Sequence, residues 1–478
     1  MKRVDVAILG AGSAGLGALR EVRKQTQSFV VINDGPWGTM CARVGCMPSK
    51  SLIEAAHAFH RRRAFAELGV SGAESLTIDV PAVLARVRRI RDTFVDETLR
   101  LTADVGYRAM SGRARLLGPN RVSVNGEELL ADRIIVATGS RPIVPEAWLP
   151  FSDRLLTTDT LFEQTTLPKR MAVLGLGSVG VELAQALARL GGDVTAFDAK
   201  TKVAGLTDET VHTCLLGALR AELTVHLGDE AELLLEGDGL RVNAGGASVA
   251  VDRALVALGR RPNLDGLGLE SLGVPLDEHG KPEVDPTTMQ IGRLPVFLVG
   301  DVEGDRQVQH EAADEGHIAG LNACADAVKS FARRVPLSIV FTHPNIAMVG
   351  QRYAQLDPAN IAVGEASFEK QGRARLALRA SGRLRVYADK MSGRLLGAEL
   401  CAPEGEHLAH LLALALERQC TVRDLLRAPF YHPTLEEGLR EALRGAAKNL
   451  PGQDVFELAF TGSDARSTAS HTETTLPS

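Results

Sequence analysis

Val4-Asp5-Val6-Ala7-Ile8-Leu9-Gly10-Ala11-Gly12-Ser13-Ala14-Gly15 opens the chain with an apolar run followed by three closely spaced glycines. The run reads as a buried strand, and the residues after Gly12 read as the start of a helix. Each glycine has its own reason. The first allows a tight turn, the second lets the backbone approach a pyrophosphate, and the third lets helix and strand pack closely. The helix N-terminus then faces the anion.

The pattern returns. Segment 170–198 again reads strand, glycine turn, helix, strand, with Gly175-Leu176-Gly177-Ser178-Val179-Gly180 as its turn. One such turn is a weak signal; two in the same context point to two dinucleotide sites. What ends the next strand selects the nucleotide. Val194-Thr195-Ala196-Phe197 runs into Asp198, whose carboxylate can accept from both hydroxyls of an adenine ribose and would repel a 2′-phosphate. That favours NAD(H) over NADP(H), with Lys200 and Lys202 pulling the other way. In the first repeat, Phe29-Val30-Val31-Ile32 ends at Asn33-Asp34. Either Asn33 or Asp34 bonds a ribose hydroxyl, or both simply make the turn with Gly35-Pro36.

Three further apolar runs end in glycine turns: Ile134 to Gly139, Ala254 to Gly259 and Val296 to Asp301. They read as buried strands whose ends face a ligand crevice. Residues 384–388 alternate like a strand, and residues 405–419 read as a helix with one strongly apolar face. Segment 463–478, rich in Ser and Thr, reads as a disordered tail. A chain of 478 residues suits three domains at roughly 150 residues each. With 54 basic against 59 acidic residues there is no strong basic field for a nucleic acid. Arg61 to Arg63 and Arg86 to Arg91 read as solvated helix faces. No run approaches the ~18 apolar residues of a membrane span, and no signal-peptide core follows Lys2-Arg3, so the cytoplasm is expected.

Of six cysteines, Cys214, Cys324, Cys401 and Cys420 are scattered and read as small buried apolar residues. Cys41 and Cys46 lie in Gly38-Thr39-Met40-Cys41-Ala42-Arg43-Val44-Gly45-Cys46-Met47-Pro48-Ser49-Lys50. Two cysteines so spaced can close a small disulfide ring, with Gly45 letting the chain bend. A helix starting near Pro48 would aim its positive end at the sulfurs and favour a thiolate. Zinc would want a second pair of ligands at metal spacing, and none is evident, so no metal is expected.

This segment resembles the redox-disulfide signature of the class I pyridine nucleotide–disulfide oxidoreductases, and the likeness runs from about residue 4 to 445. Ala137-Thr138-Gly139-Ser140-Arg141-Pro142, Ala257 to Asn263, Gly300-Asp301 and Tyr431-His432-Pro433-Thr434-Leu435-Glu436-Glu437 follow in the family's order. The branch most alike is dihydrolipoyl dehydrogenase, on Cys46-Met47-Pro48-Ser49-Lys50, Asp198 and Thr342-His343-Pro344.

The resemblance implies an α/β protein with two Rossmann-like dinucleotide-binding domains, for FAD and NAD, and a C-terminal α+β dimerisation domain. The FAD domain is expected from 1–147 and 262–335, the NAD domain from 148–261 and the interface domain from 336–462. It implies that Cys46 is the thiolate beside the flavin and that Cys41 exchanges with substrate. Lys50 and Glu182 would pair near flavin N5, and Asp301 would bond the ribityl chain. Further cofactor contacts are implied at Ala114, Thr138, Gly139, Ser140 and Gly259, beside the two glycine turns. His432 would be the general acid/base, held by Glu437 and serving the other subunit of a homodimer. The chemistry is consistent with that: disulfide exchange wants a base near pH 7, and a carboxylate on the far ring nitrogen fixes its tautomer. The substrate would be a small disulfide or dithiol, a lipoyl group foremost. The alternatives are another low-molecular-weight disulfide, or a disulfide-independent NADH oxidase, quinone reductase or transhydrogenase.

Departures from the family pattern bear on substrate identity more than on the chemistry. Asn33 stands where Glu is usual, Met40 interrupts the Gly-Gly-Thr-Cys run, Ala42-Arg43 replaces an apolar-Asn pair, and Glu436 takes a position often held by Ser. No cysteine follows Cys420, so the vicinal thiols typical of a mercuric reductase tail are missing.

Overall fold

A computed structural model describes residues 2–451 and 457–458. The tail expected over 463–478 lies outside the described residues. The chain divides into two compact units. The first holds the chain up to Gly205, Leu216–Arg334 and Val340–Thr342; the second holds Leu206–Leu215, Val335–Ile339 and the chain from His343 onward.

The internal repeat is realised as two copies of one topology within the first unit. In the first copy the strand order is Ala109–Ser111, Phe29–Asn33, Lys2–Leu9, Glu127–Val136, with Val296–Leu298 parallel to the end of Glu127–Val136. In the second it is Thr224–Leu227, Asp193–Asp198, Arg170–Leu174, Arg253–Val256, Leu155–Leu156. In each, the strand that leads into the glycine turn sits in the middle and pairs in parallel on both sides. Such a strand is buried on both faces, which is why it reads as an unbroken apolar run.

Each copy also carries an antiparallel meander. In the first it is Ala114–Gly118, Arg121–Val124 and the start of Glu127–Val136. In the second it is Glu232–Glu236, Gly239–Ala244 and Ala247–Val251. The copies differ at one joint. Glu127–Val136 runs unbroken from meander into parallel sheet, whereas the matching strand breaks between Val251 and Arg253. Asp252 marks that break, and its carboxylate accepts from the Arg170 N–H and guanidinium at 2.6 to 3.0 Å.

The second unit is built on the antiparallel sheet Leu337–Val340, Asn345–Gly350, Leu395–Ala402, Arg383–Asp389, Ile361–Ser367. Gly405–Glu417 and Glu437–Lys448 bury their apolar stripes in its core, through Leu408, Leu412, Leu439 and Leu443. Residues 206–215 join this unit and depart from the NAD segment expected over 148–261. The reason is polar: Glu399 accepts from the N–H groups of Thr207 and Asp208 at 2.8 and 3.0 Å, and Arg385 grips Asp208 at 2.8 Å.

The arginines read as a solvated face are not all free. Arg86 donates to Ser51 Oγ at 3.1 Å and Arg88 to the Gln164 carbonyl at 2.5 Å. Among the described residues no helix is long and apolar enough to cross a membrane.

Candidate active site

Both glycine turns have the same construction. A Cβ on Gly10, at φ +111°, would lie 2.2 Å from the Ala137 carbonyl oxygen, and one on Gly15 would lie 1.9 Å from that of Gly10. On Gly12 it would meet nothing within 4 Å. The second turn repeats this: Gly175 at φ +96° against Ala257, Gly180 against Gly175, and open space at Gly177. The first and third glycines are therefore required by protein packing. The middle one faces a vacant approach ahead of the helices Ser13–Gln25 and Ser178–Arg189, as a pyrophosphate cradle demands.

The residue ending the next strand braces each turn. Asn33 Oδ1 accepts from the Ala11 N–H at 3.2 Å, and Asp198 Oδ2 accepts from the Leu176 N–H at 2.6 Å, both across 22 residues. Asn33 Nδ2 donates to the carbonyls of Gly35 and Pro36 at 3.2 and 3.3 Å, so its amide makes the turn. Asp34 beside it is exposed. Gly10, Asn33, Asp34, Ala114 and Thr138 line one cavity of about 420 Å³, with Arg113, Arg141 and Asn263 completing its rim. That cavity leads from the glycine turn along the strand ends and fits the nucleoside end of a dinucleotide.

Ser140 and Asp301 are joined at 2.6 Å, and Arg260 donates to Ser140 Oγ at 2.8 Å and to its carbonyl at 2.9 Å. The same guanidinium reaches the Met40 sulfur. Arg260 was not singled out in the sequence, although it stands in the quoted Ala257 to Asn263 run. Met40, a departure from the family run, is thus the tie between the redox segment and the Ser140–Asp301 pair. Gly139 and Gly259 turn the chain at φ +70° and +104°.

Cys46 is the first residue of the helix Cys46–His60, two residues earlier than the start expected at Pro48. Pro48 still falls in the first turn, where a missing N–H leaves nothing unbonded. Gly45 makes the approach of the two cysteines feasible, since a Cβ there would lie 3.1 Å from the Cys41 Cα. Both cysteines are free thiols, and Cys41 donates a hydrogen bond to the Cys46 sulfur. That bond lowers the pKa of Cys46 to about 7; burial opposes it and the Lys50 charge adds to it. The same bond, together with burial, pushes Cys41 well above the ordinary thiol range. The two sulfurs therefore differ in state and in access. Cys41 lines a cavity of about 260 Å³ with Leu16, Met47, Phe94, Leu101 and His317, and Cys46 does not.

One turn beyond Cys46, Lys50 Nζ bonds Glu182 Oε2 at 2.8 Å. Glu182 lies one turn into the helix that follows the second glycine turn, so the two repeats meet at this pair. Its other oxygen accepts from the Phe341 N–H at 2.7 Å, and only 4% of the residue is exposed. Lys50→Met strands this buried carboxylate. The expected loss is about 1–3 kcal/mol of stability, reduced from the cost of a fully buried pair because Lys50 is partly exposed, with the Cys46 pKa rising. Denaturant titration checks the first part. A midpoint equal to wild type would show that Glu182 needs no cation.

In the second unit, His432 Nδ1 lies 3.0 and 3.1 Å from the two oxygens of Glu437. Glu437 opens the helix Glu437–Lys448 and also accepts from the Thr434 N–H at 3.2 Å; the His432 bond is the main force lowering its pKa. With Nδ1 engaged, Nε2 is the nitrogen left to work, on a side chain 80% exposed. Cys41 and Cys46 belong to the first unit, so one unit carries the thiols and the other the imidazole.

Residues 4–316 match the pyridine nucleotide-disulphide oxidoreductase family, and residues 336–443 match that family's dimerisation domain. Over 467 residues the chain is 34% identical to a dihydrolipoyl dehydrogenase of Thermus scotoductus, spanning 94% of this chain and 98% of that one. It is 30% identical to a mercuric reductase of Shigella flexneri, across 94% of this chain and 81% of that one. LpdA from Mycobacterium tuberculosis superposes with a TM-score of 0.81 at 25% identity, over 93% of this chain and 99% of that one. The fold is the α/β arrangement of these enzymes, their cofactors are FAD and NAD, and the open glycine cradles fit two dinucleotides. The protein is an FAD-dependent enzyme that exchanges electrons between NAD(H) and a disulfide, and it belongs to the pyridine nucleotide-disulphide oxidoreductase family.

Proposed function

We propose that the enzyme is a dihydrolipoyl dehydrogenase, a homodimer working in the cytoplasm on a lipoyl-type dithiol or disulfide. The observation that carries this is the hydrogen-bonded Cys41/Cys46 pair, of which Cys41 lines the substrate-sized cavity. Leu16, Met47, Phe94 and Leu101 give that cavity apolar surface for the carbon chain of an alkyl disulfide, within a lining that also holds Arg20, Glu97 and Gln309. The curated relative from Thermus scotoductus supports the same branch. The domain limits proposed are those expected above, with 206–215 assigned to the interface unit.

Bound FAD supplies the two-electron relay between nicotinamide and the thiol pair. In disulfide reduction the protein's own groups act in turn. Cys41, held protonated by its neighbour, gives its proton to His432 Nε2 of a second copy of the chain. Its sulfur attacks one sulfur of the substrate, forming a mixed disulfide and releasing the other sulfur as a thiolate that takes up the proton. Cys46, as the thiolate, then attacks the Cys41 sulfur and expels the second substrate sulfur as a thiolate, which takes its proton from solvent. The substrate disulfide gains two electrons, and the Cys41/Cys46 pair becomes a disulfide. Glu437 holds the imidazole in one tautomer and stabilises its charged form. Asp34, rather than the fully engaged Asn33 amide, meets the adenine ribose in the first cleft. Asp198 does so in the second.

A steady-state screen with dihydrolipoamide, glutathione disulfide and quinones, using both nicotinamides, tests the reading. The expected result is preference for dihydrolipoamide with NAD⁺, and a long-wavelength absorption band after two-electron reduction. Quinone turnover with no such band would favour the disulfide-independent class. Asp198→Asn should lower kcat/KM for NADH by about ten- to a hundredfold, the worth of a hydrogen bond to a charged group, and narrow the preference over NADPH. An unchanged NADH/NADPH ratio would remove Asp198 from nucleotide selection.

A further inference from the structure

A second pair of cysteines meets in the interface unit. Cys214 lies on the helix Glu209–Arg220 and Cys401 on the strand Leu395–Ala402. The sheet register sets Arg385 opposite Glu399 and Arg383 opposite Cys401, two residues further along. The first of these cross-strand pairs holds the start of the helical segment. Arg385 donates to Asp208 at 2.8 Å and to Thr210 Oγ1 at 3.1 Å, Tyr387 donates to Asp208 at 2.9 Å, and Glu399 accepts from two backbone N–H groups. From Thr210 to Cys214 is one helical turn, about 6 Å. From Glu399 to Cys401 is one strand repeat, about 6.7 Å, returning to the same face. The two steps match in length, and they set Cys214 in the same row as Cys401.

The contact is direct. The Cys401 thiol donates to Cys214, and the Gly382 N–H donates to the same sulfur. The pair is asymmetric: Cys401 is wholly buried, and Cys214 is partly exposed. The four cysteines outside the redox segment read from sequence as scattered small apolar residues. Cys401 is buried as that reading expects, whereas Cys214 is partly exposed, and their pairing is invisible in local spacing.

We propose that Cys214 and Cys401 form a second thiol–disulfide couple, closed by low-molecular-weight disulfides. The exposed sulfur must react first. Cys214 as thiolate attacks one sulfur of R–S–S–R, forming a Cys214–S–S–R bond and releasing RS⁻, which takes up the proton Cys214 gave up. Cys401 then loses its proton and attacks the Cys214 sulfur, releasing a second RSH. Two protein thiols are oxidised to one disulfide, and one small disulfide is reduced to two thiols. The closed bond ties residues 206–215 to the sheet in addition to the Asp208 and Glu399 contacts. Separately, the Cys401 bond brings the pKa of Cys214 down to about 7, opposed by burial and helped by the Arg383 charge, while Glu369 raises it. The order of attack follows, since the reactive thiolate is also the accessible one.

The test uses the full-length FAD-loaded protein. It is reduced, desalted, exposed to 2-hydroxyethyl disulfide, quenched in acid, alkylated in denaturant, digested and analysed by mass spectrometry. The expected product is a Cys214 peptide joined to a Cys401 peptide, in the wild type and equally in Cys41→Ser. In Cys401→Ser, Cys214 should stop as the mercaptoethanol adduct. In Cys214→Ser, Cys401 should be recovered as a thiol. The proposal is overturned if wild-type Cys214 and Cys401 are both alkylated while Cys41 and Cys46 in the same sample are linked. It is overturned equally if wild-type Cys214 keeps the adduct with Cys401 free. Neither outcome depends on which disulfide the active site turns over.

Discussion

His432→Gln should lower turnover of a disulfide or dithiol by ~10²–10⁴-fold while leaving reduction of the bound flavin by NADH almost unchanged. The size follows from the state of the thiols. Cys41 is the sulfur with access to the cavity, yet its hydrogen bond to Cys46 and its burial keep it protonated at neutral pH. Exchange therefore needs a base for its proton and an acid for the leaving sulfur. His432 is suited to both, because Glu437 occupies Nδ1 at 3.0 Å and leaves Nε2 outward. Glutamine fills similar space and cannot cycle a proton. The residues proposed for the nicotinamide lie elsewhere in the chain, on the second glycine turn, Glu182 and Asp198, in the unit that does not carry His432. Stopped-flow reduction by NADH, set beside steady-state turnover with dihydrolipoamide, separates the two half-reactions. Equal slowing of both would mean that the imidazole also serves the nicotinamide side. Glu437→Gln should give a milder loss, since its amide can hold the ring without stabilising the imidazolium charge.

The parts of this site that were legible in sequence are those carried by covalent geometry over short spans. The two glycine turns could be read because the glycine spacing between strand and helix is itself local, although Gly10 and Gly175 meet their packing demand against Ala137 and Ala257 far along the chain. The Cys41/Cys46 pair was legible for the same reason, with Gly45 between them. What escaped is tertiary. Arg260 reaches Ser140 and Met40 only because the strands Arg260–Pro262 and Ser140–Pro142 pair antiparallel, and nothing in either segment announces the other. Residues 206–215 follow a strand of the second repeat, so sequence order assigned them there. Buried Asp208 and Glu399 made the opposite assignment, because Asp208 takes its partners from Arg385 and Tyr387 of the interface sheet, and Glu399 on that sheet takes the Thr207 and Asp208 N–H groups. The start of the redox helix shifted from Pro48 to Cys46 because proline is tolerated anywhere in a first turn and so does not mark its first residue.

Cys41→Ser should abolish disulfide turnover, and comparison with Cys41→Ala should reveal what sets the state of Cys46. Neither variant can form the mixed disulfide, so no exchange is expected from either. Diaphorase activity toward an artificial acceptor should persist in both, since such acceptors need neither Cys41 nor His432. The variants should part in the ionisation of Cys46. In the native pair the largest influence lowering its pKa to about 7 is the hydrogen bond from Cys41, ahead of Lys50 one helical turn away. A serine hydroxyl can donate that bond; alanine cannot. The Cys46 thiolate should therefore be present at neutral pH in Cys41→Ser and be protonated as pH falls below about 7, as in the native pair. In Cys41→Ala it should form only at higher pH, toward the range of a free thiol. The long-wavelength absorption expected of a thiolate beside oxidised flavin reads this directly, as its intensity against pH without added reductant. Coincident titration curves for the two variants would mean that the helix terminus and Lys50 alone control Cys46. The hydrogen bond between the two thiols would then have no part in dividing their roles.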